Sequence, residues 1–177
     1  MRALVRLIVG IVVLAIVSAL VAFGYARRTG LRGQPTPSAV EIRVARTLRA
    51  FAIPADLKNR RMPAGASADS LWLGMEHYAR YCALCHGNDG SGTRTPLGGG
   101  LYPKPPDLRA EPTQQLTDGE LFYIIDNGVR FTGMPAFGTG ESTPAGDKQL
   151  WELVQFVRHL PALTPDELSE MEGMNPL

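Results

Sequence analysis

The sequence predicts an all-α protein with one membrane-spanning helix at its N-terminus. Three observations carry that expectation. A 20-residue uncharged run extends from Leu7 to Ala26, and apolar residues elsewhere recur at helical spacing behind cap residues. No segment alternates apolar and polar residues for long enough to make a strand. The 177 residues have room for one domain of ordinary size plus accessories. A content of 45% hydrophobic and 20% charged residues is that of a foldable chain and excludes wholesale disorder. The 14 prolines and 19 glycines have no period, so they indicate a loop-rich globular fold and not a collagen-like one.

The apolar run comes first in the chain. At 1.5 Å rise per residue it spans about 30 Å, the thickness of the hydrocarbon core. Arg2 and Arg6 precede it and Arg27, Arg28 and Arg32 follow it, so the basic residues alone leave its orientation open. A cleavable signal peptide is the competing reading. Its apolar region usually runs only about 7–15 residues, and Phe23, Gly24, Tyr25 and Ala26 make a poor cleavage site. The sequence therefore favours an uncleaved anchor over residues 1–28.

Gly30, Gly33, Pro35 and Pro37 then read as a linker. Ser38 is positioned to cap a short helix whose apolar residues Val40, Val44, Leu48 and Phe51 recur at helical spacing, and Pro54 stops it. Residues 54–66 read as loop, with Lys58, Arg60 and Arg61 forming a basic strap. Helical patterning returns near Asp69, with Leu71, Trp72, Met75, Tyr78, Ala79 and Cys82 on one side. Residues 96–113 hold five prolines and three glycines and read as loop throughout. Thr117 with Glu120 forms a capping box before Leu121, Phe122, Ile124 and Ile125, and Gly128 supplies the stop. Asp147 is the expected cap of an amphipathic helix carrying Leu150, Leu153, Val154, Val157 and Leu160, ended by Pro161. Thr164 with Glu167 opens a last short helix. The chain thus divides into an anchor (1–28), a linker with a short helix and strap (29–66), a main helical domain (67–163), and a short helix and tail (164–177).

Charge is divided along the chain in the same way. The net of +1 conceals five arginines and no acid in residues 1–32, six basic against three acidic residues in 33–69, and seven against fourteen in 70–177. An acidic main domain has no footprint for nucleic acid, whose phosphates need a basic surface.

The chemistry concentrates in Cys82-Ala83-Leu84-Cys85-His86, which holds both cysteines of the chain. A zinc site would need further Cys or His ligands, and only His77 and His159 remain. A thioredoxin-like dithiol expects a βαβ setting, and a disulfide across two residues closes too small a loop to stabilise much. Attachment of a c-type haem uses every residue: two thioethers from Cys82 and Cys85, and an axial imidazole from His86. For the sixth position of the iron, Met134 lies in Thr132-Gly133-Met134-Pro135, where glycine and proline make a rigid loop able to aim a thioether. Met1, Met62, Met75, Met171 and Met174 are worse placed. His77 reads as a surface or satisfied histidine, and His159 as a partner for the last carbonyls of its helix.

From about Leu71 to Pro161 the chain resembles a class I cytochrome c. The resemblance rests on Gly74-x3-Tyr78-x3-Cys82, on Cys82-x2-Cys85-His86, and on the Tyr102-Pro-Lys-Pro-Pro-Asp-Leu108 loop. It is completed by Gly133-Met134-Pro135 followed by the helix containing Leu150, Trp151, Leu153, Val154, Phe156 and Val157. It implies a class I cytochrome c fold, with the first and last helices crossing at Gly74 and Tyr78 against Leu153 and Phe156. It also implies a proline carbonyl, from Pro105 or Pro106, accepting a hydrogen bond from His86. The chain departs from lysine-rich mobile carriers, having three lysines; its anchor and strap resemble the extensions of membrane-bound bacterial cytochromes.

The resemblance implies one covalently bound haem c with both axial positions filled, hence single-electron transfer and no organic substrate. Partners are then redox proteins or a membrane oxidoreductase complex, reached as a tethered carrier or as a fixed subunit. A labile Met134 would instead imply a peroxidase or gas sensor. Haem c is attached outside the bacterial cytoplasmic membrane, so the expected placement is single-pass in that inner membrane, haem domain in the periplasm.

Overall fold

The structure is a computed structural model. It describes residues 2–30, 33, 35–63, 67–92, 95–138, 140, 143–175, and the chain falls into two compact units, 1–33 and 34–177.

The first unit is helix α1 (Arg2–Thr29), the one helix among the described residues long and apolar enough to cross a membrane. Its leucine, isoleucine and valine side chains are exposed from end to end, as a helix built for an apolar solvent requires.

The regular elements of the second unit are all helices among the described residues. Helix α2 (Ala39–Ala52) starts at a capping box in which the Ser38 hydroxyl accepts from Glu41 N–H and the Glu41 carboxylate accepts from Ser38 N–H. Helix α3 (Ala55–Lys58) is a single turn inside the strap expected to be loop; Pro54 does not merely stop α2 but starts the next turn from its N-cap. Helix α4 (Ala68–His77) begins at Ser67, whose side chain is paired reciprocally with Ser70. It runs through a π-helical turn (Tyr78–Cys82) into α5 (Ala83–His86), and Gly87, at φ 77°, ends the run.

The proline- and glycine-rich stretch is not wholly loop. It contains α6 (Pro96–Gly100), capped by Thr95, and α7 (Glu111–Gln114), each with proline in its first turn, where no N–H is missed. Helix α8 (Asp118–Asn127) has the expected Thr117–Glu120 box and stops at Gly128, φ 65°. Helix α9 (Pro144–His159) begins a turn earlier than its sequence suggests: Thr143 is the cap, accepting from Gly146 N–H, and Asp147 lies in the first turn. A 3-10 turn (Leu160–Ala162) leads to α10 (Pro165–Met174), opened by the Thr164–Glu167 box.

The core lies between α4, α8 and α9, with Tyr78, Ala79, Leu121, Phe122, Trp151, Leu153, Val154, Phe156 and Leu160 buried. The tightest approach is α4 against α9. A β-carbon on Gly74 would overlap the Glu152 carbonyl oxygen and sit 2.7 Å from its carbon and 3.1 Å from Phe156 Cβ. The glycine therefore meets Glu152 and Phe156, and one helical turn on, the Tyr78 and Phe156 rings pack 5.1 Å apart, tilted by 53°. Trp72 departs from its expected inward face: it is half exposed, and its indole N–H donates to Glu170 on α10 at 3.0 Å.

The strap is fastened by Arg60. Its guanidinium lies 4.3 Å from the Phe122 ring centre and 5.5 Å from that of Trp151, and pairs with Asp147 at 3.1 Å. Below it, Gly119 allows the Leu57 carbonyl to press against α8, and Thr117 Oγ1 donates to the Lys58 carbonyl at 2.7 Å. Sequence patterning points to a loop crossing the domain; the structure adds a stacked cation that holds it there.

Candidate haem site

One helical end delivers three of the candidate residues. The run from Ala68 to His86 places Cys82 at the end of its π turn, and Cys85 and His86 in its last turn. A π turn shifts the facing of everything after it by one residue, a device frequent at functional sites. The end is held from inside: fully buried Tyr78 donates its hydroxyl hydrogen to the Gly87 carbonyl at 3.0 Å. Both thiols are free and half-buried. Loss of hydration, with a smaller contribution from Cys85, pushes the Cys82 thiol up to about 12, and burial raises Cys85 too. Both are therefore protonated at neutral pH.

His86 is 8% exposed. Burial lowers its imidazole pKa, and the Pro106 carbonyl, facing the ring, acts in the opposite direction. Nδ1 itself is buried without a hydrogen bond of good geometry. The carbonyl thus stands beside the ring, short of full alignment with Nδ1. Pro105 is buried and Pro106 exposed.

Close backbone approaches bring the proline loop there. Gly92, at φ 78°, faces both proline carbonyls; a β-carbon on it would overlap them and lie 2.9 Å from the Pro106 carbonyl carbon. Gly92 N–H donates to the His86 carbonyl at 2.7 Å, and Leu108 N–H to the Gly90 carbonyl at 2.8 Å. Arg109 staples the two segments, pairing with Asp107 at 3.0 Å and Asp89 at 3.5 Å. On another side, Thr95 Oγ1 donates to the Cys85 carbonyl at 3.2 Å while capping α6, and Gly98 of α6 packs against that same carbonyl.

Met134 is half-buried in the loop after α8. Its N–H donates to Thr132 Oγ1 and its carbonyl accepts from Val129 N–H, both at 3.1 Å. The segment beyond it is laid along the end of α8 by Phe137 N–H to the Ile125 carbonyl and Gly138 N–H to that of Asp126, at 3.0 and 2.9 Å. A β-carbon on Gly133 would lie 2.7 Å from the methyls of Leu101, the residue that ends α6. Cys82, Cys85, His86 and Pro106 are thus gathered directly, and Met134 is joined to them at one remove, through α6.

The other two histidines fall elsewhere. His77, expected at the surface or satisfied, is half-buried with its Nδ1 buried and without a partner. His159 does not serve its helix's last carbonyls; its Nε2 lies 2.8 Å from Glu167 Oε1 on α10. Nothing in the sequence marks Gly92, Thr95 or Gly98 as supports of the site, and Arg109 stands out there only as a charge near the Cys-x2-Cys-His motif. Thr95-Pro96 is a cap-plus-proline signal, hidden among surrounding breakers.

Two free thiols and a buried imidazole on one helical end, with an imidazole nitrogen still lacking a well-formed bond beside a carbonyl, fit haem c. Fold and site together define a class I c-type cytochrome with an N-terminal apolar helix that fits an anchor. Residues 70–157 match the family described as cytochrome C oxidase, cbb3-type, subunit III. That segment is a cytochrome c domain, and its family carries haem c and transfers electrons. No curated protein matches the chain.

Proposed function

We propose that this chain holds a single haem c and passes single electrons between redox proteins at the periplasmic face of the bacterial inner membrane. In this reading Cys82 and Cys85 form the two thioethers by adding S–H across the porphyrin vinyl groups. His86 and Met134 would hold the iron, and Pro106 would supply the carbonyl that orients His86. The haem would supply a one-electron couple. The chain's residues orient the imidazole, exclude water from it, and fix the loop that carries the thioether. The observation that carries the reading is the delivery of Cys82, Cys85 and His86 by one helical end against the Pro106 carbonyl.

Helix α1 is the anchor, with residues 1–6 cytoplasmic. The family description names an oxidase subunit, which favours a fixed subunit over a free tethered carrier. Mild detergent extraction should then release the chain in a complex larger than itself.

The denatured protein should have the mass of the chain plus one haem; haem lost to acid–acetone refutes the thioethers. Met134→Ala should open the ferrous iron to carbon monoxide and lower the potential, while Met62→Ala does neither. Carbon monoxide binding by the Met62 variant, and not by the Met134 variant, refutes the axial assignment.

A further inference from the structure

Helix α2 is anchored at both ends yet turns its most apolar face away from the unit. At its start, the Tyr102 hydroxyl donates to Glu41 at 2.8 Å. Near its end, Lys58 Nζ donates to the Ala50 carbonyl, and Ile53, just beyond it, is only 3% exposed. Arg49 is its one half-buried residue, partly stripped of water and drawn toward Glu120. Ile42 is its least exposed large apolar side chain, at 38%. At 100° per residue, Arg49 and Ile42 lie about 150° round the helix from the middle of the Val40, Val44, Leu48 and Phe51 stripe. That stripe is 71, 52, 61 and 89% exposed, residue by residue. Helical spacing in the sequence fits a stripe that packs inward, and the structure leaves it uncovered.

We infer that α2 is an in-plane membrane helix, its Val40–Val44–Leu48–Phe51 stripe seated at the boundary of lipid headgroups and acyl chains. The inference rests on the reading of α1 as an anchor. Ten residue steps separate Thr29 from Ala39, and a trans chain covers at most about 35 Å in that number, so α2 is always within reach of a membrane that holds α1. Charge selects lipid as the occupant. Arg43 borders the stripe on one side, the Glu41 carboxylate on the other is taken up by Ser38 and Tyr102, and residues 33–69 carry six basic against three acidic residues, whereas 70–177 carry seven against fourteen. An anionic bilayer attracts the first segment and repels the second. An apolar stripe containing Phe and Leu with an arginine, Arg43, along one border is a pattern of interfacial helices. Four side chains also fall far short of the roughly 20 residues a side that a stable protein interface uses.

Seating α2 would fix how the domain meets the membrane. Glu41 holds Tyr102, the residue that opens the proline loop carrying the Pro106 carbonyl. The segment that touches lipid is thereby bonded to the segment that touches His86.

The test uses the full chain in vesicles of phosphatidylethanolamine with phosphatidylglycerol. p-Benzoylphenylalanine replaces Phe51 in one sample and Arg46, on another face of the same helix, in a second. Illumination should give lipid adducts at position 51 at about tenfold the yield at position 46. Equal yields at the two positions, a cross-linked dimer, or a cross-link to another protein at position 51 in native membranes would overturn the inference. A sodium carbonate wash separates it from the anchor reading. Retention of the chain with no lipid adduct defeats α2 alone, whereas release of the chain defeats the anchor and with it the tether.

Discussion

Gly74→Ala sets two known effects against each other at the closest point of the core. In an exposed helix interior, alanine is favoured over glycine by about 1 kcal/mol. At Gly74 the new methyl would overlap the Glu152 carbonyl oxygen and lie 2.7 Å from its carbon. A relaxed carbon–carbon contact is about 3.5–4.0 Å, so α4 and α9 would have to part by roughly 1 Å. The obstacle is main chain and cannot swing aside. Parting the helices loosens the tilted Tyr78–Phe156 ring contact and the packing of buried Val154, so the cost belongs at or above the upper end of overpacking, about 3 kcal/mol. Subtracting the propensity gain leaves about 2 kcal/mol. For the compact unit 34–177 that lowers the melting temperature by roughly 4–8 °C. Gly173 in α10 is the control, because nothing lies within 4 Å of its added methyl; Gly173→Ala should be neutral or slightly stabilising. Thermal unfolding followed by ellipticity decides the matter. A Gly74→Ala protein within 0.5 kcal/mol of the parent would refute the close-approach argument.

Two further perturbations address the strap and the C-terminal helix. Arg60→Ala removes a partly exposed ion pair and a stacked cation together, at a cost of about 1–2 kcal/mol in denaturant unfolding; Arg60→Lys should recover less than half of it, because an ammonium cannot lie flat on Phe122 and Trp151. Burial raises the Glu167 carboxyl, but hydrogen bonds from Thr164 and His159 outweigh it and hold the pKa below the ordinary 4.5. A depressed carboxylate contributes stability above its unfolded value that is lost as pH falls through the folded one. Amide exchange over α10, corrected for intrinsic rates, should therefore rise as pH drops below about 4.5, and Glu167→Gln should show the faster exchange already at neutral pH.

Local signals wrote most of the helices into the sequence. Ser38, Thr117 and Thr164 each cap as their spacing to a glutamate three residues on requires, and Gly128 stops its helix through a positive φ. What escaped was set by partners distant in sequence. The pattern makes Asp147 a cap, yet its carboxylate is engaged by Arg60, 87 residues away, and Thr143 takes the capping role. The exposed stripe of α2 has the same spacing as a buried one, because periodicity fixes which residues share a face and not what covers it. Cys82, Cys85 and His86 are contiguous and could be read directly. The choice between Pro105 and Pro106 turns on which carbonyl reaches the imidazole, and only the folded loop presents one of them to the ring.

Gly92 is where the two halves of the site meet, and it is not itself a ligand. Its φ of 78° is one that residues with a β-carbon rarely adopt, and the space for that carbon is filled by the Pro105 and Pro106 carbonyls. Gly92→Ala should push the proline loop outward and take the Pro106 carbonyl away from the His86 ring. In the proposed haem-bound state, an imidazole with no carbonyl close enough to accept from it is a poorer donor to the metal, which disfavours the oxidised iron and raises the reduction potential. In the proposed function the thioethers are made by Cys82 and Cys85, so covalent haem per chain should be the same as in the parent. Pro106→Ala keeps the carbonyl and should move the potential less than Gly92→Ala does. Spectroelectrochemical titration of the three proteins, each normalised to its haem content, reads the difference. An unchanged potential in Gly92→Ala with full haem content would refute the role of the Pro106 carbonyl. A loss of haem in both variants would show instead that the loop is needed to mature the site and not to tune it.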